Sequence, residues 1–266
     1  MIGQNKNKEL LMQWRMNKSV PRFIIIEGDE GSGRLELAKV IMKMINATGI
    51  IAGNGIADVR EIIENAYTVT DTTCYIFRNA DDMSNAAKNS LLKVVEEPPN
   101  KAYFIMTVKN ISDMLRTIKS RATCIKMEPY TEKQLKSLNN NDLIIKYTNT
   151  PGQAKTIVYE AILQVEKCVN NVINALKNGS GVNLLKETVN LKSKETDENK
   201  IDCDLFIRVF EKSIDVDLMK YGLLSNLEIC KQELKRNSIN KKSSVECMLL
   251  RLLEEIKSAK VSEKVG

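Results

Sequence analysis

The chain has 266 residues, of which 43% are apolar, and its net charge is +6. This length allows about two domains, each able to bury a core, and the basic excess is too evenly spread to indicate a nucleic-acid surface by itself. There is no histidine, and the six cysteines form no C-x-x-C pair, so neither a metal site nor a histidine-based catalyst is expected. No run of about 18 apolar residues and no signal-peptide pattern occur, which predicts a cytoplasmic protein without a membrane span.

In the first half of the chain, short apolar runs alternate with segments of helical period. The predicted strands are RFIIIE (22–27), TCYIFR (73–78), AYFIMTV (102–108) and TCIKM (123–127). The predicted helices lie around KELLMQW (8–14), at 34–47, at 56–66, at 84–96 and around SDMLRTI (112–118). Apolar strands separated by helices indicate a parallel sheet covered on both faces, so we expect an α/β core over residues 1–128.

After EPYT at 128–131 the strand patterns stop, and the helical period continues to the end of the chain. Two helices carry their apolar residues on one stripe, as expected where a helix faces the core of a bundle. The stripes consist of Val165, Val169, Val172 and Leu176, and of Val245, Met248, Leu249, Leu252 and Ile256. Glycine and polar residues predict loops at 177–181 and 190–200.

A glycine-rich stretch, GDEGSGRL at 28–35, follows the first strand directly. It is close to the phosphate-binding pattern G-x-x-x-x-G-K-[ST], in which backbone N–H groups cradle the phosphates, the lysine binds the outer phosphates and the hydroxyl binds Mg²⁺. The glycines of the pattern are Gly28, Gly31 and Gly33. Arg34 keeps the positive charge in a bulkier group, while Leu35 cannot bind a metal. The loop shape is therefore expected without its ligands.

Further losses concern the charges around this loop. Asp29 and Glu30 lie within it, and each would repel a phosphate by roughly 1–4 kcal/mol at about 4 Å. Arg78 and Asn79 stand where nucleotide hydrolases carry an Asp for Mg²⁺ and a Glu that orients water. A cation repels Mg²⁺ and an amide is no base, which predicts that the chain does not hydrolyse a nucleotide. An ordinary strand-to-helix turn remains the alternative interpretation of the glycines.

The stretch at 75–123, YIFRNADDMSNAAKNSLLKVVEEPPNKAYFIMTVKNISDMLRTIKSRAT, closely resembles the clamp-loader branch of the AAA+ proteins. Members of that branch carry a Leu-Leu-Lys…Glu-Glu-Pro-Pro phrase, matched here by Asn89–Pro99. A strand with a polar residue follows, matched by Thr107, and then a Ser-Arg pair, matched by Ser120 and Arg121. With its degenerate loops the chain is most similar to the delta-prime type of bacterial DNA polymerase III subunit, which generally does not hydrolyse ATP.

The resemblance, strong over residues 20–155, assigns roles to several side chains. It makes Arg121 an arginine finger that acts in trans on the ATP of a neighbouring subunit, and it makes Thr107 the sensor-like residue. It implies no cofactor for this chain, with ATP and Mg²⁺ bound on the neighbour. TNTPGQAK at 148–155 resembles the second sensor segment of the family. The arginine usual there is missing, and its place is taken by Pro151, Gly152 and Gln153.

Two further departures from the family pattern lie outside these motifs. Ala122 replaces the cysteine that follows the arginine finger in other members. The cysteine-rich zinc insert of the family has no room in the short interval between Ala47 and Thr73. The resemblance therefore leaves open a shortened cellular subunit or a divergent or viral relative.

The resemblance implies a RecA-like core at 1–128, a helical lid at 129–163 and a helical collar at 164–266 that mediates oligomerisation. The expected partners are gamma/tau-like motor subunits, a delta-like subunit, the sliding clamp and, through the complex, primer-template DNA, with no membrane. The apolar stripes of the collar, such as Val245, Met248, Leu249 and Leu252, are expected to be incompletely buried in the monomer, because they can pack against sister subunits. Two alternatives remain open, an ATP-hydrolysing motor in which Arg34 replaces the lysine and a stand-alone adaptor.

Several charged residues near the motifs have simpler interpretations. Without the motif, Arg121 would be interpreted as a surface arginine paired with an acid. Glu96 and Glu97 are expected at a solvated helix end before two prolines. Lys88 and Lys93 are expected on a solvated helix face, although the corresponding helix of related proteins lies near the DNA.

Overall fold

The computed structural model describes residues 2–193, 197, 200–214, 218, 222–236 and 240–265. The chain forms two compact units, one of residues 1–138 and 149–155 and the other of residues 139–148 and 156–266. Residues 129–163, predicted as a lid, contribute to both units, and the three-part division stays a prediction.

Among its described residues, the first unit contains five strands, seven complete α-helices and most of an eighth. The strands are β1 (Phe23–Glu27), β2 (Thr48–Ala52), β3 (Thr73–Phe77), β4 (Ala102–Val108) and β5 (Thr123–Lys126). The helices are α1 (Asn5–Met16), α2 (Arg34–Met44), α3 (Ile56–Thr68), α4 (Asn85–Ser90), α5 (Leu92–Glu96), α6 (Arg116–Lys119) and α7 (Glu132–Lys136), with α9 (Pro151–Thr156) ending one residue beyond the unit. Short 3-10 turns at Ala80–Asp82 and Ile111–Asp113 follow β3 and β4.

All strand pairs of this sheet are parallel, in the order β2-β3-β4-β1-β5. Residues of β1 alternate between the two faces, with Ile25 in one buried cluster and Ile24 and Ile26 in the other. A strand buried on both faces needs apolar residues at every position, which explains the continuous run of isoleucines. The α/β core predicted from these runs is confirmed.

Strand β2 was not predicted from the sequence. It pairs with β3 on one side only and forms an edge of the sheet. Its residues are exposed except Ala52, so its apolar pattern is short and is interrupted by Gly49. Edge strands carry a weaker pattern because half of their environment is solvent.

The second unit is helical in the described residues, apart from one isolated bridge between Leu191 and Ile201. Its helices are α8 (Asp142–Lys146), α10 (Tyr159–Lys177), α11 (Gly181–Thr188), α12 (Cys203–Ser213), α13 (Leu223–Leu234) and α14 (Lys241–Val265). Both predicted stripes lie in one buried cluster of this unit.

The expectation that the apolar stripes are incompletely buried is wrong for both of them. Val165, Val169, Val172 and Leu176 of the first stripe are buried, and so is the second stripe. Val245, Leu249 and Leu252 are completely buried, and Met248 and Ile256 are nearly so. Helix α14 contacts α10, α11, α12 and α13, so this face is already covered within the chain. The exposed apolar residues of α11 lie elsewhere, at Val182 and Leu185.

Of the two predicted loops, 177–181 contains the turn between α10 and α11, where Gly179 has a φ of 70°. Most of the stretch 190–200 lies between the paired residues Leu191 and Ile201, and part of it, 194–196 and 198–199, falls outside the described residues. Across the described ranges, no helix is both long enough and apolar enough to cross a membrane.

The buried position of Leu249 leads to a direct test of the helical core. Leu249→Ala leaves a cavity, which should lower the free energy of unfolding by about 2–5 kcal/mol. The matched control is Leu250→Ala, because Leu250 is the next residue and is exposed; it should cost less than about 1 kcal/mol. Urea unfolding followed by circular dichroism measures both values, and equal effects would show that this face is not core.

Candidate functional site

The candidate site lies at the carboxyl edge of the parallel sheet. Strand β1 lies between β4 and β5, and the chain crosses from β4 over β1 to reach β5. Ligands of open α/β sheets bind outside the carboxyl ends of the strands where the winding direction changes. The glycine loop follows β1 at this position, directly before α2.

Two glycines give the loop its shape. Gly31 has a φ of 75° and Gly33 a φ of 89°, in the left-handed region that side chains with a Cβ disfavour. Gly33 is also the residue that precedes the first turn of α2. The left-handed turn expected of such a glycine loop is therefore present.

The segment 149–155 covers one side of the loop. Thr150 Oγ1 donates to the carbonyl oxygen of Glu30, and the backbone N–H of Gly152 donates to that of Gly31, both at 2.9 Å. The contact is close, because a Cβ on Gly31 would lie 2.8 Å from Thr150 Oγ1 and 2.9 Å from Gly152 Cα. The segment resembling a second sensor therefore binds the loop through its backbone and a hydroxyl.

Two more contacts that the sequence did not predict hold the loop. The hydroxyl of Tyr130 donates to the carbonyl oxygen of Ser32 at 2.6 Å. The Nζ of Lys109 lies 3.7 Å from a carboxylate oxygen of Glu30, so one of the two acidic residues of the loop is paired with a cation. Three successive carbonyl groups of the loop, at 30, 31 and 32, are thus hydrogen-bonded by other parts of the first unit.

Arg34 is turned towards the end of β3. Its side chain is 8% exposed, and its Nη2 donates to Asn79 Oδ1 at 3.2 Å. Burial lowers the pKa of the guanidinium, although the carboxylates of Asp81, Glu30 and Asp29 oppose this effect. Among the described residues, its Nη1 has no hydrogen-bond partner.

Asn79 joins Arg34 to the sensor-like residue. Its backbone has a φ of 49°, a conformation that asparagine tolerates better than most residues. Its N–H donates to Thr107 Oγ1 at 3.1 Å, and Thr107 is buried. The structure thus brings Arg34, Asn79 and Thr107 into one chain of hydrogen bonds. Arg78 lies apart, with an exposed side chain and a carbonyl that accepts from Asn54 Nδ2 at 2.7 Å.

The expectation that Lys88 lies on a solvated face is wrong. Lys88 is 4% exposed, and its Nζ donates to the backbone carbonyls of Asp81 at 3.0 Å and Asp113 at 2.9 Å. It therefore ties together the turns that follow β3 and β4, as buried cations require such partners. The helical spacing of Ala87, Lys88 and Leu91 could have indicated this burial.

Arg121 lies at the amino ends of the parallel strands, whereas the glycine loop lies at their carboxyl ends. It precedes β5, whose Thr123 pairs with Ile24 near the start of β1, whereas the loop follows the end of β1. Its Nη2 is 2.6 Å from Glu96 Oε1, and its Nη1 donates to the carbonyl oxygen of Thr117 at 2.9 Å. The structure therefore separates Arg121 from the other predicted site residues.

Cysteine and metal chemistry gain no support in the described residues. Burial raises the pKa of Cys74, Cys203 and Cys230 to about 12 and that of Cys168 to about 11, so these thiols stay protonated and poor nucleophiles. Within the described ranges, no group of three or more Cys, Asp or Glu residues could hold a metal ion.

The comparisons with known proteins find similarity to DNA polymerase III subunits. A model of the family described as DNA polymerase III, delta subunit, matches residues 49–131. The DNA polymerase III subunit gamma/tau of Mycoplasma genitalium is 25% identical over 228 residues, which is 73% of this chain and 36% of that protein. The DNA polymerase III subunit delta' of Yersinia pestis is 33% identical over 70 residues, which is 25% of this chain and 21% of that protein.

Structural similarity extends over nearly the whole chain. A DNA polymerase III gamma subunit-related protein from Thermotoga maritima has a TM-score of 0.50 and 16% sequence identity, covering 92% of this chain and 99% of that chain. At this identity the likeness concerns the fold alone. The chain spans well under half the length of the curated gamma/tau and delta' relatives described above.

The parallel sheet with helices on both faces and a glycine loop after β1 form an α/β core, and its fold is similar to that of the Thermotoga maritima protein. The family-model match over residues 49–131 and the curated relatives support a member of the clamp-loader AAA+ family. The family resemblance drawn from Asn89–Pro99, Thr107, Ser120 and Arg121 is thereby confirmed, and the individual roles of these residues remain predictions.

The close contact between Gly31 and Gly152 can be tested with a matched pair of variants. Gly31→Ala and Gly33→Ala carry the same left-handed backbone penalty, roughly 1 kcal/mol each. Only Gly31→Ala adds crowding, because the nearest atom to a Cβ on Gly33 is 3.7 Å away. We expect Gly31→Ala to lower the free energy of unfolding by about 1–3 kcal/mol more than Gly33→Ala, measured by urea titration. Equal losses would mean that segment 149–155 does not cover the loop.

Proposed function

We propose that the chain is a non-hydrolysing, delta-prime-like subunit of a DNA polymerase III clamp loader. In this role it supplies Arg121 as an arginine finger to ATP bound by a neighbouring motor subunit, during loading of the sliding clamp on primed DNA. The observation that carries the proposal is that Arg121 and the glycine loop lie at opposite ends of the strands of one parallel sheet.

This placement argues against action within one subunit. A strand of five residues such as β1 spans roughly 16 Å, and it lies between the start of β5, next to Arg121, and the glycine loop. An arginine that stabilises a transferred phosphoryl group must contact its oxygens directly. Arg121 is therefore suited to a phosphate bound outside its own subunit.

The chain's own loop is poorly suited to Mg-ATP. The cation of the loop, Arg34, donates a hydrogen bond to the side chain of Asn79, and the hydroxyl of Thr107 accepts one from the backbone N–H of Asn79. Leu35 cannot bind Mg²⁺, and Arg78 and Asn79 provide neither a metal ligand nor a base. We infer that ATP and Mg²⁺ act on the neighbouring subunit and that this chain needs no cofactor of its own.

The names of the relatives support the proposed partners. The matched proteins are DNA polymerase III subunits of the gamma/tau and delta' types, so the proposed partners are gamma/tau-like motor subunits, a delta-like subunit and the sliding clamp. Contact with primer-template DNA would arise through the assembled complex. The proposal includes the helical lid at 129–163 and the collar at 164–266, in which exposed Val182 and Leu185 are available for subunit contacts.

The similarity to gamma/tau subunits supports one alternative function, an ATP-hydrolysing motor subunit. A motor subunit would need Arg34 to replace the lysine of the phosphate-binding pattern. The hydrogen bond between the buried Arg34 and Asn79 weighs against a motor subunit, because the guanidinium would have to break it before binding a phosphate. A stand-alone adaptor is the second alternative, and co-purification with clamp-loader subunits distinguishes it from the proposal.

The first test is binding of Mg-ATP to the isolated chain by calorimetry. We expect no Mg²⁺-dependent binding in the micromolar range and no ATP turnover above background, because the metal ligands are missing. Weak binding that does not require Mg²⁺ is compatible with the loop backbone and should be insensitive to chelators. Micromolar binding that requires Mg²⁺ would favour the motor subunit.

The second test replaces Arg121 in a reconstituted clamp loader. Arg121→Ala should leave assembly intact but abolish turnover at one ATP site, since an arginine finger contributes roughly 10³–10⁵-fold to the rate. Arg121→Lys should fail as well, because a point charge cannot reproduce the planar fork. The matched control is Arg116→Ala, since Arg116 is an exposed arginine at the start of α6.

DNA-stimulated ATPase and clamp-loading assays measure the outcome. The remaining sites should keep a partial ATPase, and the Arg116→Ala complex should behave as wild type. Unchanged rates in fully assembled Arg121→Ala complexes would reduce Arg121 to an ordinary surface arginine.

A further inference from the structure

The guanidinium of Arg121 is docked on its own subunit. Nη2 lies 2.6 Å from Glu96 Oε1, while Nη1 donates to the carbonyl oxygen of Thr117 at 2.9 Å and reaches Ser120 Oγ at 3.5 Å. Both terminal nitrogens are thus engaged. These are the atoms with which a guanidinium binds phosphate oxygens.

The backbone on the Glu96 side of this contact is fixed. Val94 and Val95 of α5 are buried in the core of the first unit. Beyond Glu96, the carbonyl oxygens of Pro98 and Pro99 accept from Arg22 Nη1 at 3.2 and 3.1 Å. Glu96 is therefore held in place at the end of α5.

The backbone on the Arg121 side is fixed in the same way. Ile118 of α6 is completely buried, and the N–H of Arg121 donates to its carbonyl oxygen at 3.1 Å. Undocking of Arg121 thus requires only rotation of its long side chain. No rearrangement of α5 or α6 is needed.

The contact is weak enough to be reversible. The side chain of Arg121 is 34% exposed and that of Glu96 54%. Water and salt screen such a pair, which typically shifts an equilibrium by no more than about fivefold. A triphosphate carries more negative charge than one carboxylate and can accept two parallel bonds from the guanidinium. A phosphate offered by a neighbour should therefore displace Glu96.

We propose that Glu96 is a latch that sequesters Arg121 until a neighbouring subunit presents ATP. This inference rests on the proposed function for its consequence, and its structural part concerns the isolated chain alone. Only undocked Arg121 is available to the neighbour, so the latch lowers the apparent affinity of that site for ATP by the undocked fraction. It does not alter the rate once Arg121 has reached the phosphate.

The isolated chain provides the first experiment, with phenylglyoxal as an arginine-specific probe and peptide mass spectrometry as the readout. Modification of Arg121 should be about two- to fivefold faster in Glu96→Ala than in wild type, with Glu96→Gln between them because its amide oxygen still accepts a neutral bond. Glu97→Ala is the matched control, since Glu97 is exposed and makes no ion pair with Arg121 among the described residues. Equal rates in all four proteins would overturn the latch.

The second experiment measures ATP dependence in the reconstituted complex. Glu96→Ala should lower the KM for ATP about two- to fivefold with kcat unchanged, and Glu97→Ala should change neither. A fall in kcat would overturn the latch, because Glu96 would then support Arg121 in its working position. If Arg121→Ala itself has no effect in the complex, the proposed function fails, and the labelling rates alone decide whether Arg121 is sequestered.

Discussion

The position of β1 between two parallel neighbours determines where every functional group of the first unit can lie. Strands β1, β4 and β5 run in the same direction. The segment that follows β1 therefore lies at the carboxyl ends of the strands, and the segment that precedes β5 lies at their amino ends. The glycine loop and Arg121 are held apart by a fully hydrogen-bonded strand that is buried on both faces. No side-chain rearrangement can bring them together. The two groups therefore lie at opposite ends of the strands, which is the geometric basis of the proposal that Arg121 acts on a neighbouring subunit.

At the carboxyl ends of the strands, the chain's own groups hold the glycine loop and its surroundings together. Arg34, Asn79 and Thr107 satisfy part of one another's hydrogen-bonding capacity, and segment 149–155 binds the loop carbonyls. Such contacts stabilise one loop conformation without a ligand, whereas a nucleotide-dependent loop is ordered by what it binds. This arrangement agrees with the proposed role of a subunit that does not hydrolyse ATP.

The sequence predicted the features that depend on local pattern. Continuous apolar runs identified β1 and β4, and the glycine spacing identified the loop. What it missed depends on contacts between residues far apart in the chain. Glu96 pairs with Arg121 across 25 positions and Lys88 reaches Asp113 across 25, and neither partner carries a local signal of the other. The predictions for the exposed edge strand β2 and for the buried stripe of α14 failed for the same reason. Burial depends on which elements become neighbours in the fold, and the local sequence does not show this.

The first unit is discontinuous, because residues 139–148 belong to the second unit while 149–155 return to the first. During synthesis on a ribosome, all five strands emerge before the donors of Thr150 and Gly152 emerge. If the nascent sheet forms at that stage, water is the partner of the loop carbonyls of Glu30 and Gly31. Segment 149–155 can cover the loop only after residues 139–148 of the helical unit have been synthesised. Completion of the first unit therefore follows the start of synthesis of the second.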